Sequence, residues 1–146
     1  MIDWSDPNSM VSKYFSVREM LWLPKWNRLA SEQNPDDHLT DSVKSNLVAL
    51  CEIMDEVREY LGTPLSVHSG FRPPAYSVLV GGFATDVHTR GLAIDFDPNP
   101  ELTIQDAKDL LEPCLEHLGI RMERGTKTWI HLDTHPPGPS GRYFTA

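Results

Sequence analysis

The chain is poor in cysteine and contains no long apolar run. Its two cysteines in 146 residues, Cys51 and Cys114, cannot supply a disulfide framework. Cys51 lies on the apolar side of a predicted helix, which indicates a reduced thiol in the core. No apolar stretch approaches the roughly 20 residues that a membrane-spanning helix requires, so no membrane partner is expected.

Basic side chains are also scarce. The chain has 13 lysines and arginines against 21 acidic residues, which gives a formal net charge of −8. Sequence-independent binding of nucleic acid needs a basic surface, so this class of partner is not expected. A polyanionic substrate would have to be met by local cations, because the overall field repels it.

The first residues lack the basic and apolar regions of a signal peptide. We therefore expect a soluble protein that is synthesised in the cytoplasm without a signal peptide. The sequence has no heptad pattern or exposed apolar stripe that would indicate an oligomer, so a monomer is expected.

Helical periodicity appears in three segments. Residues 41–61 carry an apolar stripe at three- and four-residue steps, with Gly62 as the predicted C-terminal cap. A second amphipathic helix is predicted over about residues 103–118, with a kink or break at Pro113. A short helix over residues 17–23 begins at a capping box formed by Ser16 and Glu19, and Pro24 ends it.

Strand patterns occupy much of the remaining chain. Residues 65–69 and 92–97 read as strands, and residues 120–123 and 127–133 as two strands joined by a turn at Gly125. The expected fold class is α+β, with a small, mostly antiparallel sheet flanked by helices. The length fits a single domain over residues 1–146, in which residues 1–40 form an N-terminal arm and short helix packed on the rest.

Three tryptophans, Trp4, Trp22 and Trp26, lie in this arm. They could form a sugar-stacking surface, or they could attach the arm to the core. The second interpretation is favoured because aromatic side chains dominate core burial.

The residues that carry chemistry are His88, Asp95 and His131. Asp95 lies in a predicted strand on the face opposite Ile94 and Phe96, where a carboxylate is costly unless something pairs with it. His131 likewise alternates with apolar neighbours in the last predicted strand. Two imidazoles and one carboxylate would form an open, three-ligand zinc site of the kind used for hydrolysis. His68 is predicted to be a core histidine or a hydrogen-bonding partner of a ligand.

The wider pattern resembles the zinc D-Ala-D-Ala carboxypeptidases and their phage endolysin relatives, the L-Ala-D-Glu peptidases. That family belongs to one superfamily with lysostaphin-type peptidases and the hedgehog domain. The resemblance covers residues 14–133 and rests on five motifs in order, Tyr14-Phe15-Ser16-Val17-Arg18-Glu19, Ser69-Gly70-Phe71-Arg72-Pro73, Gly81-Gly82, the His88 to Asp95 run, and Trp129-Ile130-His131-Leu132-Asp133.

The resemblance implies a hedgehog/D-Ala-D-Ala carboxypeptidase-like fold and one zinc ion per chain, with His88, Asp95 and His131 as ligands. Arg72 matches an arginine that contacts substrate or stabilises the oxyanion, a role that suits a guanidinium. Ser69, in the same motif, and Asp86, which replaces the family's usual serine, complete the expected substrate-binding set.

One departure leaves the general base open. Many members of the family carry a carboxylate three residues before the last histidine ligand, where this chain has Thr128, which cannot accept a proton at neutral pH. Glu123 would lie opposite Thr128 if the turn centres on residues 125–126. Asp133 lies two residues beyond His131 on the same strand face, although it could serve only to orient a ligand. Asp86 is a third candidate.

Two functions follow. The first is zinc-dependent hydrolysis of an amide bond in peptidoglycan stem peptides, by a carboxypeptidase or an endopeptidase that acts on the cell wall after release or as part of a virion. The alternative is a non-catalytic zinc domain that recognises a peptide or structures a phage particle, and Thr128 is its main support.

Overall fold

The computed structural model describes residues 1–145. The last residue of the predicted domain, Ala146, lies outside the described residues. The helices are α1 (Val17–Leu21), α2 (Asp41–Leu61), α3 (Pro74–Leu79), α4 (Ile104–Leu111) and α5 (Leu115–Leu118). The strands are β1 (Trp22–Leu23), β2 (Arg28–Leu29), β3 (Leu65–Ser69), β4 (Ala93–Pro98), β5 (Arg121–Glu123), β6 (Ile130–Asp133) and β7 (Tyr143–Phe144). Short 3-10 turns cover Pro35–Asp37, Val87–Arg90 and Glu112–Cys114.

The main sheet has the strand order β3-β4-β6-β5-β7. The pairs β3–β4, β4–β6 and β5–β6 are antiparallel, but β7 joins β5 in parallel. The α+β class is therefore confirmed, whereas the expectation of a mostly antiparallel sheet is corrected to a mixed one. The difference arises because the C-terminal segment returns along β5 in the same direction, after a loop rich in proline and glycine.

Helix α2 has the predicted bounds. The Thr40 side chain accepts a hydrogen bond from the backbone N–H of Val43 at its start, and Gly62 ends it in the left-handed region with φ 70°. Its apolar stripe is buried in the core cluster. Gly91 packs directly against it, since a Cβ there would lie 2.7 Å from the Val43 carbonyl oxygen. Helix α2 thereby supports the turn that carries His88.

Helix α1 is shorter than predicted, since residues 22–23 form strand β1 and pair with β2. Leu23 precedes Pro24, and a residue in that position is driven out of the helical region. Trp4 and Trp26 are half-buried against the core, as the arm interpretation requires. Trp22 instead lines a cavity.

The second predicted helix breaks at Pro113, as expected, into α4, a 3-10 turn and α5. The last hairpin differs from its prediction, because β6 begins only at Ile130 and residues 124–129 form a loop. The register pairs Arg121 with Asp133 and Met122 with Leu132. The expected placement of Glu123 opposite Thr128 is therefore wrong, because the connection is a six-residue loop and not a tight turn. Across residues 1–145, no helix combines the length and the apolar character needed to cross a bilayer.

Candidate metal centre

Three side chains from three different elements meet at one point. His88 comes from the 3-10 turn Val87–Arg90, Asp95 from β4 and His131 from β6. One ligand atom from each lies within 4.8 Å of the other two. Asp95 and His131 face each other directly across the β4–β6 pair.

The core determines which face of these strands carries the ligands. Ile94 and Phe96 in β4, and Ile130 and Leu132 in β6, are fully buried in the apolar core. Because side chains alternate along a strand, the residues between them point to the opposite face. Asp95 and His131 are those residues, so burial of the core places both ligands on one side of the sheet.

His88 is positioned by two contacts. The Asp86 carboxylate accepts a hydrogen bond from the backbone N–H of His88 at 2.9 Å and caps the turn. The His88 Nδ1 donates to the Gly70 carbonyl oxygen at 2.9 Å. The other ring nitrogen, Nε2, then faces the centre and lies 3.3 Å from Asp95 Oδ2.

His131 is held from behind by Asp133. The Asp133 carboxylate is fully buried and accepts from His131 Nε2 at 2.8 Å. It also accepts from Arg121 Nε at 2.8 Å and from the backbone N–H of His135 at 3.1 Å. His131 Nδ1 is left facing Asp95 Oδ1 at 2.8 Å. This contact suits the orienting role of Asp133, because a ligand histidine commonly gives its other nitrogen to a carboxylate.

The electrostatics of the group fit a cation. Burial opposes the charge on Asp95, but hydrogen bonds from His131 and His88 outweigh it and lower the pKa of Asp95 well below its usual range. Burial also opposes a charge on His131, yet Asp133 and Asp95 raise its pKa to about 9. The metal-free centre therefore holds a positive charge between carboxylates. A divalent metal ion supplies that charge at the same place, and two imidazoles with one carboxylate are a suitable zinc donor set.

Two cavities adjoin the metal group and share Arg72, Val80, Asp95 and Trp129. The first, here the Trp22 cavity, has a volume of about 400 Å³ and is also lined by Trp22, His68, Tyr76, Asp97 and Thr128. The second, here the Phe144 cavity, has a volume of about 320 Å³ and is also lined by Phe83, His88, Glu123, His131 and Phe144. Asp95 therefore borders both cavities, whereas His88 and His131 line only the Phe144 cavity.

Arg72 also borders both cavities, with Ser69 beside it. Its Nε donates to Ser69 Oγ at 2.8 Å, and its Nη2 donates to Asp95 Oδ2 at 3.1 Å. Ser69, predicted to bind substrate, therefore orients the guanidinium and also lines the Trp22 cavity. Two bonds hold the guanidinium beside the metal group and keep it accessible from both cavities.

The three base candidates occupy very different places. Glu123 lines the same cavity as His88 and His131, while Asp133 is sealed behind His131. Burial raises the pKa of Glu123, the charge of His131 opposes that rise, and the charge of Asp95 adds to it. A carboxyl with a raised pKa beside a metal group has the properties of a proton acceptor. Although Glu123 does not lie opposite Thr128, it still lies at the site, because it is the last residue of β5 and β5 pairs with β6, the strand of His131.

Asp86, predicted to bind substrate, makes its hydrogen bonds within the protein. One carboxylate oxygen caps the His88 turn, and the other accepts from Ser77 Oγ and from the backbone N–H of Phe83. Asp86 lines the Phe144 cavity, but its oxygens accept hydrogen bonds from Ser77 in α3 and from backbone N–H groups of its own loop. Its contacts position His88.

Two features of the cleft escaped the sequence interpretation. His68 is not a core histidine, since its side chain is 48% exposed and its Nε2 lies 2.7 Å from Asp97 Oδ2 in the Trp22 cavity. Phe144 packs edge-on against His131, with ring centroids 5.3 Å apart, and the Arg121 guanidinium lies over its ring. The alternation of side chains along β3 could have placed His68 on the exposed face. No pattern in the sequence near Phe144 predicts that the C-terminal segment joins the sheet.

Comparison with known proteins gives a family for most of the chain. A family model described as Peptidase M15 matches residues 13–133. Comparison with curated proteins and with solved structures gave no match. The matched segment contains His88, Asp95, His131, Arg72 and Glu123 and ends before β7.

Proposed function

Because the chain belongs to the peptidase M15 family, we propose that it is a zinc-dependent peptidase that hydrolyses an amide bond in peptidoglycan stem peptides. The family supports a metallopeptidase, and the choice of substrate and bond is the proposal. The observation that supports it is the convergence of His88, Asp95 and His131 in one cavity that is also lined by the Glu123 carboxyl.

His88 Nε2, one oxygen of Asp95 and His131 Nδ1 would hold one zinc ion per chain. When bound, zinc polarises a scissile carbonyl and activates water near neutral pH. Asp133 keeps the His131 ring turned toward the centre, and Asp86 with Gly70 does the same for His88. The protein thus supplies a preorganised donor set on a rigid sheet.

Glu123 would act as the general base and then as the proton donor. Its carboxylate takes a proton from the attacking water and returns it to the leaving amine. Arg72 would hold the substrate carbonyl oxygen as negative charge develops there, because its guanidinium is fixed beside the metal group by Ser69 and Asp95.

The non-catalytic alternative rested on Thr128. The carboxyl of Glu123 in the same cavity as the metal group supports hydrolysis instead. The likeness of residues 14–19 to phage-type members supports a role in wall degradation, as a phage lysin or virion enzyme. We also propose that residues 1–146 form one domain that acts as a monomer.

The experiment is incubation of purified sacculi with the zinc-loaded protein, with and without a chelator, and identification of released peptides by mass spectrometry. Chelator-sensitive release of peptides or amino acids is expected. Zinc content should be about one ion per chain by the three-ligand argument. A zinc-loaded protein that releases nothing from any type of wall would refute the peptidase.

A further inference from the structure

A bulge in β3 brings a second polar residue into the Trp22 cavity beside Ser69. Val67 pairs with Phe96 and Ser69 pairs with Asp95, so His68 is an extra residue without a partner in β4. Regular alternation would turn one of two adjacent side chains away from the cleft, but His68 and Ser69 both line this cavity. Bulges are common next to active sites, where they redirect a side chain. The bulge therefore presents both side chains to a ligand in the cavity.

The His68 ring is held at one nitrogen and open to the cavity at the other. Its Nε2 lies 2.7 Å from Asp97 Oδ2, a separation typical of an N–H donor and a carboxylate. This contact assigns the proton of the neutral ring to Nε2, so Nδ1 carries a lone pair. Within residues 1–145, Nδ1 makes no hydrogen bond, and the His68 side chain is 48% exposed. A ligand in the Trp22 cavity can therefore reach this acceptor.

Arg72 supplies the complementary group beside His68. It is the only arginine or lysine among the described residues that line the Trp22 cavity, and its Nε donates to Ser69 Oγ at 2.8 Å. The two residues of the bulge therefore bring together a donor for a carbonyl oxygen and an acceptor for an N–H. A peptide main chain carries these same two groups on each residue, so it is a suitable ligand for the pair.

We infer that His68 is a substrate-binding residue whose Nδ1 accepts a hydrogen bond from a main-chain amide N–H of the peptide segment in the Trp22 cavity. This role rests on the proposed function, because the peptide in the cleft is its substrate. Asp97 holds the ring in its accepting form, and Arg72 acts on the scissile carbonyl. The contact selects for the main chain near the cleaved bond and not for a particular side chain.

Ester analogues test this contact by binding, without turnover. The probe is a pentapeptide stem titrated by calorimetry into zinc-loaded Glu123→Gln protein. Its analogues replace in turn, by an ester, each amide that wild-type protein leaves intact. An ester has no N–H, so one analogue should bind about tenfold more weakly than the amide peptide. Adding His68→Phe, or His68→Ala, which adds no bulk, should reduce this difference to about twofold or less.

The control makes the same substitution outside the cleft. His117 is exposed in α5, and adding His117→Phe should leave the ester difference at about tenfold. Zinc content should be the same in all of these proteins, because neither histidine belongs to the donor set. Equal binding of every analogue and the amide peptide, or an ester difference that survives both His68 variants, would overturn the role of His68.

Turnover of the amide peptide by wild-type protein, read by mass spectrometry, separates this role from the proposed function. Cleavage of the peptide with no His68-dependent ester difference would refute the role of His68 and leave a peptidase. A His68-dependent ester difference without cleavage of any stem peptide would refute the proposed hydrolysis while the binding role stands. A protein that neither binds nor cleaves stem peptides would overturn both.

Discussion

The candidate metal ligands and the candidate base are held in the molecule in different ways. Asp95 and His131 face each other in adjoining regular strands, backed by a fully buried apolar layer. Glu123 ends a three-residue strand and is followed by a loop. That loop is anchored by the Lys108 ammonium, which donates to the Thr126 carbonyl oxygen, and by the Arg124 backbone N–H, which donates to the Phe144 carbonyl oxygen in β7.

This difference separates metal binding from proton transfer. The core fixes the positions of Asp95 and His131, so substitutions there are expected to change metal content. The position and polarity of Glu123 depend on later parts of the chain, including β7, which lies beyond the residues that match the family. Variants in either region, followed by zinc content, turnover and stability, test this separation.

The largest effect is expected for His131→Ala. Loss of one of three ligands should reduce zinc well below one ion per chain, measured by metal analysis. Hydrolysis of stem peptides should fall at least about a thousandfold, because the metal contributes several kcal/mol and each 1.36 kcal/mol is tenfold. His117→Ala, at an exposed position in α5, is the matched control. Full zinc retention in His131→Ala would contradict the ligand assignment.

Glu123→Gln should separate the two regions most clearly. The amide cannot accept a proton, so kcat should fall roughly 10²- to 10⁴-fold. Zinc content should stay at the wild-type value, because the side chain is outside the donor set. Glu101→Gln, which is exposed and outside the cleft, should behave as wild type. An unchanged kcat would remove Glu123 from the mechanism.

Asp133→Asn tests how strongly the metal region depends on a buried orienting residue. Zinc affinity, measured by competition with a chromogenic chelator, should weaken about 10- to 100-fold. The protein should also lose about 3 kcal/mol of unfolding free energy, because Arg121 keeps its charge without its buried partner. An affinity that matches wild type would show that the His131 ring needs no such support.

The ionised Asp133 should also make the stability of the metal-free protein sensitive to acid. Burial opposes the charge of Asp133, but His131 and Arg121 outweigh it and lower its pKa. Because this pKa is lowered, ionised Asp133 stabilises the fold at pH values above about 3.8, the pKa of an ordinary aspartate. This contribution is lost as the pH falls from 3.8 through the lowered pKa. Chemical denaturation from pH 6 down to pH 3 should show this loss in wild type and a smaller one in Asp133→Asn. Identical pH dependence of the two proteins would be evidence against it.

The smallest effect is expected for Phe144→Ala. Burial raises the pKa of Glu123, so activity should fall on acidification at a pH above the ordinary glutamate value of 4.5. Removing the Phe144 ring admits water to the shared cavity, which should shift the acid limb of the kcat/KM profile downward and reduce kcat a fewfold. Zinc content should not change. Phe83→Ala, at a rim side chain that is 75% exposed, should leave the acid limb in place, and the same shift in both variants would argue against a specific role for Phe144.

Much of the fold was predictable because its elements are locally encoded. Helix α2 has the predicted bounds, since a capping threonine, an apolar stripe and Gly62 all lie within one segment. The break at Pro113 follows from the missing backbone donor of proline. Alternation in β4 and β6 correctly put Asp95 and His131 on the face away from the core, which is why their meeting could be anticipated.

The remaining features depend on contacts between distant segments. The register of β5 against β6 follows the length of loop 124–129, which Lys108 anchors from another helix. The parallel β7 and the packing of Phe144 on His131 arise only when the C-terminal segment returns to the sheet.

Helix α2, the break at Pro113 and the outward faces of β4 and β6, with their candidate ligands, are encoded locally, because periodicity, caps and side-chain chemistry act over a few neighbouring residues. Helix α3 at residues 74–79, which lies in a predicted loop, is not. Packing between distant segments, by contrast, puts Glu123 in the same cavity as His88 and His131 and buries Asp133 behind His131. The physical reason is that burial and loop closure depend on what packs from elsewhere in the chain, and the same carboxyl group is an exposed acid or a buried hydrogen-bond acceptor according to those neighbours.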